Sequence, residues 1–130
     1  MKKATGTFVV KLEPLESSIK TSTDYQAARL GIQKTFSGDM IGTSVGEMLA
    51  LGTPAGAGGY VASDLVSATL EGRSGSFVMQ HLGTRTKTEQ HLKVEIVPES
   101  GTAGLVGITG TFAIRIEGGQ HFYDLSYDLE

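Results

Sequence analysis

The feature that most constrains the fold of this chain is a hairpin pattern near its C-terminus. Residues 107–117 and 120–129 alternate apolar and polar side chains on either side of Gly118-Gly119, and a Gly-Gly pair between two such runs is a strong signal for a tight β-hairpin. Pairing outward from this turn collects one apolar face, made of Phe112, Ile114, Ile116, His121, Tyr123, Leu125 and Tyr127. A slip of one residue would turn that whole set towards solvent, so the register is well specified.

The same alternation recurs along the chain and predicts about eight strands. The further strands cover residues 7–13 up to Pro14, 28–36 and 40–51 around Gly38-Asp39, 59–71 and 74–83 around Gly72-Arg73, and 89–97 up to Pro98. The expected loops are 15–27, with one helical turn allowed after Asp24, then 52–58, and 99–106, with one turn allowed there too.

Strands joined in hairpins, with little or no helix, predict an all-β fold, either a two-sheet sandwich or an antiparallel barrel. We favour a single eight-stranded antiparallel barrel over residues 1–130, because closure leaves no free strand edge. A chain of 130 residues has the usual size of one domain. It can bury a core without the help of disulfides, and it contains no Cys.

Composition narrows the classes of function. The net charge is −3 and the Lys and Arg residues are scattered, which argues against nucleic acid and against an anionic membrane as partners. Without Cys there is no thiol nucleophile and no thiolate metal site. The apolar run Phe8-Val9-Val10 is too short for a signal peptide, so we expect a cytoplasmic protein. No motif for a cofactor is found, because the glycines at 56–59 lack the ending of a phosphate loop.

The run from Gly72 to Thr84 resembles the signature of a small bacterial family of unknown function. Residues 36–42, 97–107 and 123–130 agree with the same family. The family resembles allene oxide cyclase in fold, which implies an eight-stranded antiparallel barrel with an internal cavity. No activity is established for it, so the resemblance assigns no catalytic residue. Asp64 stands where we expect the family to carry Glu, which keeps the carboxylate and shortens its reach.

Asp64 and His81 form the most interesting pair in the sequence. A type II′ turn at Gly72-Arg73 would place them directly opposite each other on the inward face. A carboxylate beside an imidazole can orient the ring for general base catalysis or for binding a ligand. The alternative is a polar pair at the barrel rim with no chemical role.

The other candidate ligand-binding residues are expected to point inward: Glu47, Tyr60, His121, Tyr123 and Tyr127. Aromatic rings with polar tips suit a pocket for a small molecule, although plain core packing explains the tyrosines equally well. For Glu47, a turn at Gly38-Asp39 pairs Phe36 with Ile41 and directs the carboxylate inward. Either a wet cavity accepts that charge or the register is shifted by one residue.

A metal site is disfavoured. His81 and His91 face each other only if their hairpin centres on Thr86, and that register turns the apolar face of 89–97 away from the core. A four-residue loop at 85–88 restores the apolar match and points His91 outward. We therefore expect no metal.

The outward faces carry a second signal, because Val61, Leu65, Val78 and Leu82 lie opposite the predicted core face. Exposed apolar groups that form a patch usually mark an interface, which favours a homodimer or other homo-oligomer. Three functions remain open. They are a barrel that binds an apolar or amphipathic small molecule, a cofactor-independent isomerase or cyclase using Asp64 and His81, and a packed barrel acting only through protein contacts.

Overall fold

The alternating runs form a closed antiparallel barrel in the computed structural model, which describes residues 1–21 and 24–130. The strands are β1 (Lys2–Leu15), β2 (Gln26–Gly38), β3 (Met40–Gly52), β4 (Gly58–Leu70), β5 (Arg73–Arg85), β6 (Gln90–Ile96), β7 (Thr109–Glu117) and β8 (Gln120–Asp128). Each strand pairs with its neighbours in chain order, and β8 closes onto β1. The predicted all-β, eight-stranded antiparallel barrel is therefore confirmed.

The barrel is packed at one end and open at the other. Its packed end contains an aromatic cluster in which Phe112 stacks on Tyr123 with the ring centroids 5.5 Å apart. A single 3-10 turn, Ala103–Leu105, seals this end, and it buries Leu105 completely. Towards the other end the inward-facing residues become partly exposed, and Leu12 and Leu92 are about half exposed. Side chains therefore fill the interior at one end and leave it open at the other. We call this half-filled interior the cup and its open end the mouth.

The β2–β3 turn differs from its prediction by one residue. Phe36 lies opposite Gly42 rather than Ile41, and Asp39 alone separates the two strands. Tertiary contacts hold this turn, because Asp39 accepts a hydrogen bond from the backbone N–H of Thr5 at 2.9 Å and donates its own N–H to the Thr5 carbonyl. A shift of one residue reverses the faces of β3, so the predicted inward position of Glu47 is wrong.

The β4–β5 turn consists of Glu71 and Gly72 rather than Gly72-Arg73. Both residues have positive φ, 55° and 73°, as a type I′ hairpin requires. The Glu71 carboxylate is held there by Lys2 Nζ at 3.0 Å and by the hydroxyl of Tyr127 at 2.8 Å. The register moves by two residues, so every side chain keeps its predicted face.

The last hairpin confirms its predicted register, with Glu117 opposite Gln120 across Gly118-Gly119. The loop between β5 and β6 has four residues, as predicted, but it covers 86–89 instead of 85–88. His91 lies opposite Thr84 and its side chain is exposed, so its predicted outward direction is confirmed.

Two boundaries of the first long loop are corrected. β1 continues through Pro14 to Leu15, where proline is tolerated because this end of the strand needs no further N–H donor. No helical turn follows Asp24, since β2 begins at Gln26. Residues 22 and 23 of the predicted loop 15–27 lie outside the described residues.

The barrel wall has one weak seam, between β6 and β7. Their ladder consists of a single pair, Glu95 opposite Thr111, whereas β5 and β6 share seven pairs. No further ladder pair joins the described residues of these two strands towards the open end. The β6–β7 pairing is therefore the shortest in the barrel wall.

Over residues 1–21 and 24–130 we find no helix with the length and apolar character needed to cross a membrane.

We predict that the Tyr123 hydroxyl sets the stability of the β2–β3 turn. It accepts from the Met40 N–H at 3.0 Å and lies within bonding distance of the carbonyls of Ser37 and Met40. Tyr123→Phe leaves the buried Met40 N–H without a partner, which should lower the free energy of unfolding by about 1–3 kcal/mol in urea titrations.

The matched control is Tyr127→Phe. Its hydroxyl bonds to Glu71, whose carboxylate keeps Lys2 and solvent as partners, so this variant should lose less stability. Equal losses in both variants would contradict the role assigned to Tyr123.

Candidate functional site

Four neighbouring strands each direct one polar side chain into the barrel interior. The four are Lys34 on β2, Ser44 on β3, Asp64 on β4 and His81 on β5. All are buried, and Asp64 is completely inaccessible to solvent. The alternation of each strand explains this placement, because each polar residue falls at a position whose neighbours two residues away face the core. We call these four residues the polar belt.

Asp64 joins the members of the polar belt. Its Oδ2 atom accepts a hydrogen bond from Lys34 Nζ at 2.7 Å and lies 3.0 Å from Nε2 of His81. Asp64 lies opposite Met79 and His81 lies opposite Ala62. The predicted direct pairing is therefore wrong by two residues, but the two side chains still meet diagonally because the face is unchanged.

The electrostatic surroundings keep Asp64 ionised. Burial alone raises the pKa of this carboxyl, but the hydrogen bond from His81 and the charge and hydrogen bond of Lys34 outweigh burial and lower the pKa below its usual value. An ionised carboxylate can only accept hydrogen bonds. Nε2 of His81 must then carry the proton that it shares with Oδ2, and Nδ1 is bonded to none of the residues that the structure describes.

Two buried polar atoms of the belt have no hydrogen-bond partner in the described part of the protein. They are the second carboxylate oxygen of Asp64, Oδ1, and the hydroxyl Oγ of Ser44. Gly46 lies opposite Asp64, and a Cβ atom at that glycine would come within 2.5 Å of Oδ1. The missing side chain gives the carboxylate room. Buried polar groups are almost always satisfied, so Oδ1 can accept from a donor outside the chain, and the Ser44 hydroxyl can donate to or accept from a group there.

The open end of the barrel holds a cavity of about 420 Å³ above the belt. Its inward wall includes Met48, Ala50, Tyr60, Gly83 and Leu92. The belt lies one or two inward positions deeper, at His81 on β5 and Asp64 on β4. Burial, and then the negative charge of Asp64, raise the pKa of the Tyr60 hydroxyl, which places Tyr60 within the electrostatic reach of the belt. The Tyr60 ring occupies the space that a side chain at Gly83 would need.

His121 and Lys34 meet the same aromatic ring from different strands. Lys34 Nζ lies 5.5 Å from the ring centroid of Phe8, within the range of a cation–π contact. The imidazole of His121 lies 5.1 Å from that centroid. His121 is half buried, as expected for an inward residue near the mouth.

The remaining candidates divide between the core and the surface. Tyr123 and Tyr127 point inward as predicted, but they lie at the packed end, where backbone groups and Glu71 engage their hydroxyls. Glu47 lies on the outer wall, where its carboxylate pairs with Arg29 at 2.7 Å. None of these three reaches the polar belt.

Lys34 and Ser44 were missed as site residues by the sequence analysis. A signal was present, since Lys34 stands between Ile32 and Phe36 at spacing two, and a lysine in that pattern must point into the core. The alternation alone does not identify the partner of Lys34, because Asp64 lies on β4, two strands away. Ser44 became an inward residue only through the corrected register of β3.

The described residues contain no group of three or more His, Cys, Asp or Glu side chains placed to hold a metal ion.

Comparison with known proteins identifies a family for this chain. The family model for the protein of unknown function DUF3224 matches residues 4–127. The chain belongs to the DUF3224 family. A crystal structure of a protein with unknown function from the same family, from Shewanella oneidensis MR-1, shares 44% sequence identity with a TM-score of 0.94. That match covers 100% of this chain and 98% of the other. No curated protein matches this DUF3224 chain.

We predict that the ionised carboxylate of Asp64 stabilises the fold and that its protonation at acid pH removes this stabilisation. Its pKa lies below the ordinary value of 3.8, so its contribution is complete above about pH 5 and is lost as pH falls through the folded-state pKa. Urea titrations between about pH 6 and about pH 2 should show a shallower loss of stability for Asp64→Asn than for the native chain.

An exposed carboxylate provides the control. Asp24→Asn should follow the native profile, because Asp24 lies at the surface. If Asp64→Asn loses stability as steeply as the native chain when the pH falls, the buried ion pair does not govern the loss of stability at acid pH.

Proposed function

We propose that this DUF3224 protein binds an amphipathic small molecule in the open end of its barrel. The polar group of the ligand would lie towards Lys34 and Asp64, and its apolar part against the wall of the mouth. The observation that carries this proposal is the position of the polar belt. The belt lies one or two inward positions beneath a cavity whose wall combines apolar side chains with Gln26, Arg85 and Gln90. It contains buried polar atoms that the described residues leave without partners.

The apolar half of the proposal rests on the shape of the cup. A cavity of about 420 Å³ falls within the usual range for small-molecule sites. Leu12 and Leu92 face the interior and are 54% and 44% exposed, although burying such side chains stabilises a fold. A ligand in the cavity would cover Leu92, which lines it.

The polar half follows from the hydrogen-bonding capacity of the belt. Lys34 has three N–H donors, of which Asp64 engages one. These donors suit a carbonyl or carboxylate oxygen. Asp64 Oδ1 accepts, and the Ser44 hydroxyl can donate or accept. A ligand end that combines an acceptor with a hydroxyl, such as a hydroxy acid or hydroxy ketone, matches the whole set.

The closed eight-stranded barrel supports the proposal only at the level of the fold. A closed eight-stranded barrel with an internal cavity is the fold expected from the likeness to allene oxide cyclase. That likeness itself rests on the sequence alone, and it assigns no ligand to this chain.

The proposal is tested with the fluorescent probe ANS, an apolar aromatic compound with an anionic sulfonate. The native protein should bind one ANS per chain with enhanced fluorescence. Ala50→Trp fills the mouth and should weaken ANS binding by at least about tenfold in a fluorescence titration, since the ring occupies the cavity.

The control carries the same substitution on the outer face of the same strand. Thr43 is exposed on β3, so Thr43→Trp should bind ANS like the native protein. Binding that is unchanged in Ala50→Trp would refute the cavity as the ligand site.

A second function, a cofactor-independent isomerase or cyclase, is favoured by one observation. His81 holds its Nε2 proton against Asp64, which leaves the lone pair of Nδ1 as a base. A positioned base of this kind can move a proton within a bound ligand. Once a ligand of the cup is identified, an enzyme should convert it, and His81→Ala should reduce turnover about a hundredfold or more. A pure binding protein would release the ligand chemically unchanged.

A further inference from the structure

The outer wall of β3, β4 and β5 carries an ordered apolar pattern that the proposed ligand site does not use. Cross-strand register aligns two apolar rows, Val45–Leu65–Val78 and Leu49–Val61–Leu82. Five of these six side chains are between 44% and 55% exposed. A polar row, Glu47–Ser63–Gln80, runs between them. We call these nine residues the outer patch.

Two of the three rows of the outer patch, Leu49–Val61–Leu82 and Glu47–Ser63–Gln80, line an open depression of about 840 Å³, larger than the cavity at the mouth. The row Val45–Leu65–Val78 lies beside this depression on the same face. Ile19 and Pro98 also line the depression. Contiguous exposed apolar groups rimmed by polar residues mark interaction sites. A closed barrel has no strand edge through which this patch could pair, so a partner must pack face to face against the wall.

We propose that the occupant of the outer patch is a second copy of this chain, related by a twofold axis that runs parallel to β4 through Ser63. Such an axis places β3 of one copy over β5 of the other. Each apolar row then meets an apolar row, and Glu47 meets Gln80 of the second copy, whose amide can donate to the carboxylate.

Charge selects this arrangement among the possible ones. A twofold axis perpendicular to the strands would bring the two Glu47 carboxylates together, and like charges across an interface are strongly unfavourable. At the edges of the patch, Arg29 pairs with Glu47 at 2.7 Å and Lys93 pairs with Glu95 at 2.9 Å. The surface therefore carries no excess of one sign that would select an acidic or basic partner. Its pattern is complementary to itself.

The oligomeric mass tests this proposal directly. Light scattering after size exclusion should give twice the chain mass of 13.7 kDa. Leu65 would lie next to the axis and face its own copy, so Leu65→Lys places two ammonium groups together. This variant should raise the dimer dissociation constant more than about a hundredfold. The matched control Val9→Lys changes an exposed apolar residue on β1 and should leave the dimer intact. A monomeric native protein, or a dimer that survives Leu65→Lys, would overturn the proposal.

The absence of Cys from the sequence permits a second, geometric test. Sheets that pack face to face lie about 10 Å apart, so Ser63→Cys should yield a covalent dimer with a short bis-maleimide linker. Thr111→Cys, on the exposed outer face of β7, should remain monomeric under denaturing electrophoresis. Equal cross-linking of both variants, or none in either, would contradict the axis. ANS binding reports separately on the cup, so failure of one proposal is distinguishable from failure of the other.

Discussion

Barrel closure is the constraint on which the rest of this structure depends. Because eight strands close on one another, every second side chain must point into a shared interior that has little room for water. Most of those positions hold apolar residues. Lys34, Ser44, Asp64 and His81 are the polar or charged residues found buried in the described part of the chain, and they occur on four adjacent strands. Closure brings them together although up to 47 positions separate them in the sequence.

Burying charge in this way is costly, and the geometry limits the cost. A carboxylate that loses all contact with water is strongly destabilised unless cations and donors surround it. Lys34 and His81 both reach Oδ2 of Asp64, and their combined effect lowers the pKa of Asp64 despite its burial. An apolar set of similar volume would often serve stability as well or better. The proposed binding function rests on this belt, because the described residues leave Oδ1 and the Ser44 hydroxyl without hydrogen-bond partners.

The two faces of the wall have separate roles in our proposals. The inner face of β3–β5 carries part of the polar belt and the lining of the mouth, and the outer face carries the outer patch. The period of two along each strand makes this possible, because neighbouring residues such as Ser63 and Asp64 point to opposite sides of one strand. A dimer through the outer patch would bury the outside of the site-bearing strands and leave the mouth at the end of the barrel accessible.

The sequence by itself determined the all-β class, the strand count and the β7–β8 register, because period-two alternation and the Gly118-Gly119 turn are local properties of the chain. It also placed Asp64 and His81 on one face, since that assignment survives a shift of two residues. Tertiary structure alone decided the β2–β3 register, because Thr5 and Tyr123 from distant strands hold the turn around Asp39. That single shift turned Glu47 outward and brought Ser44 inward. The residues of a turn predict its register only when no contact from a distant part of the fold favours another register.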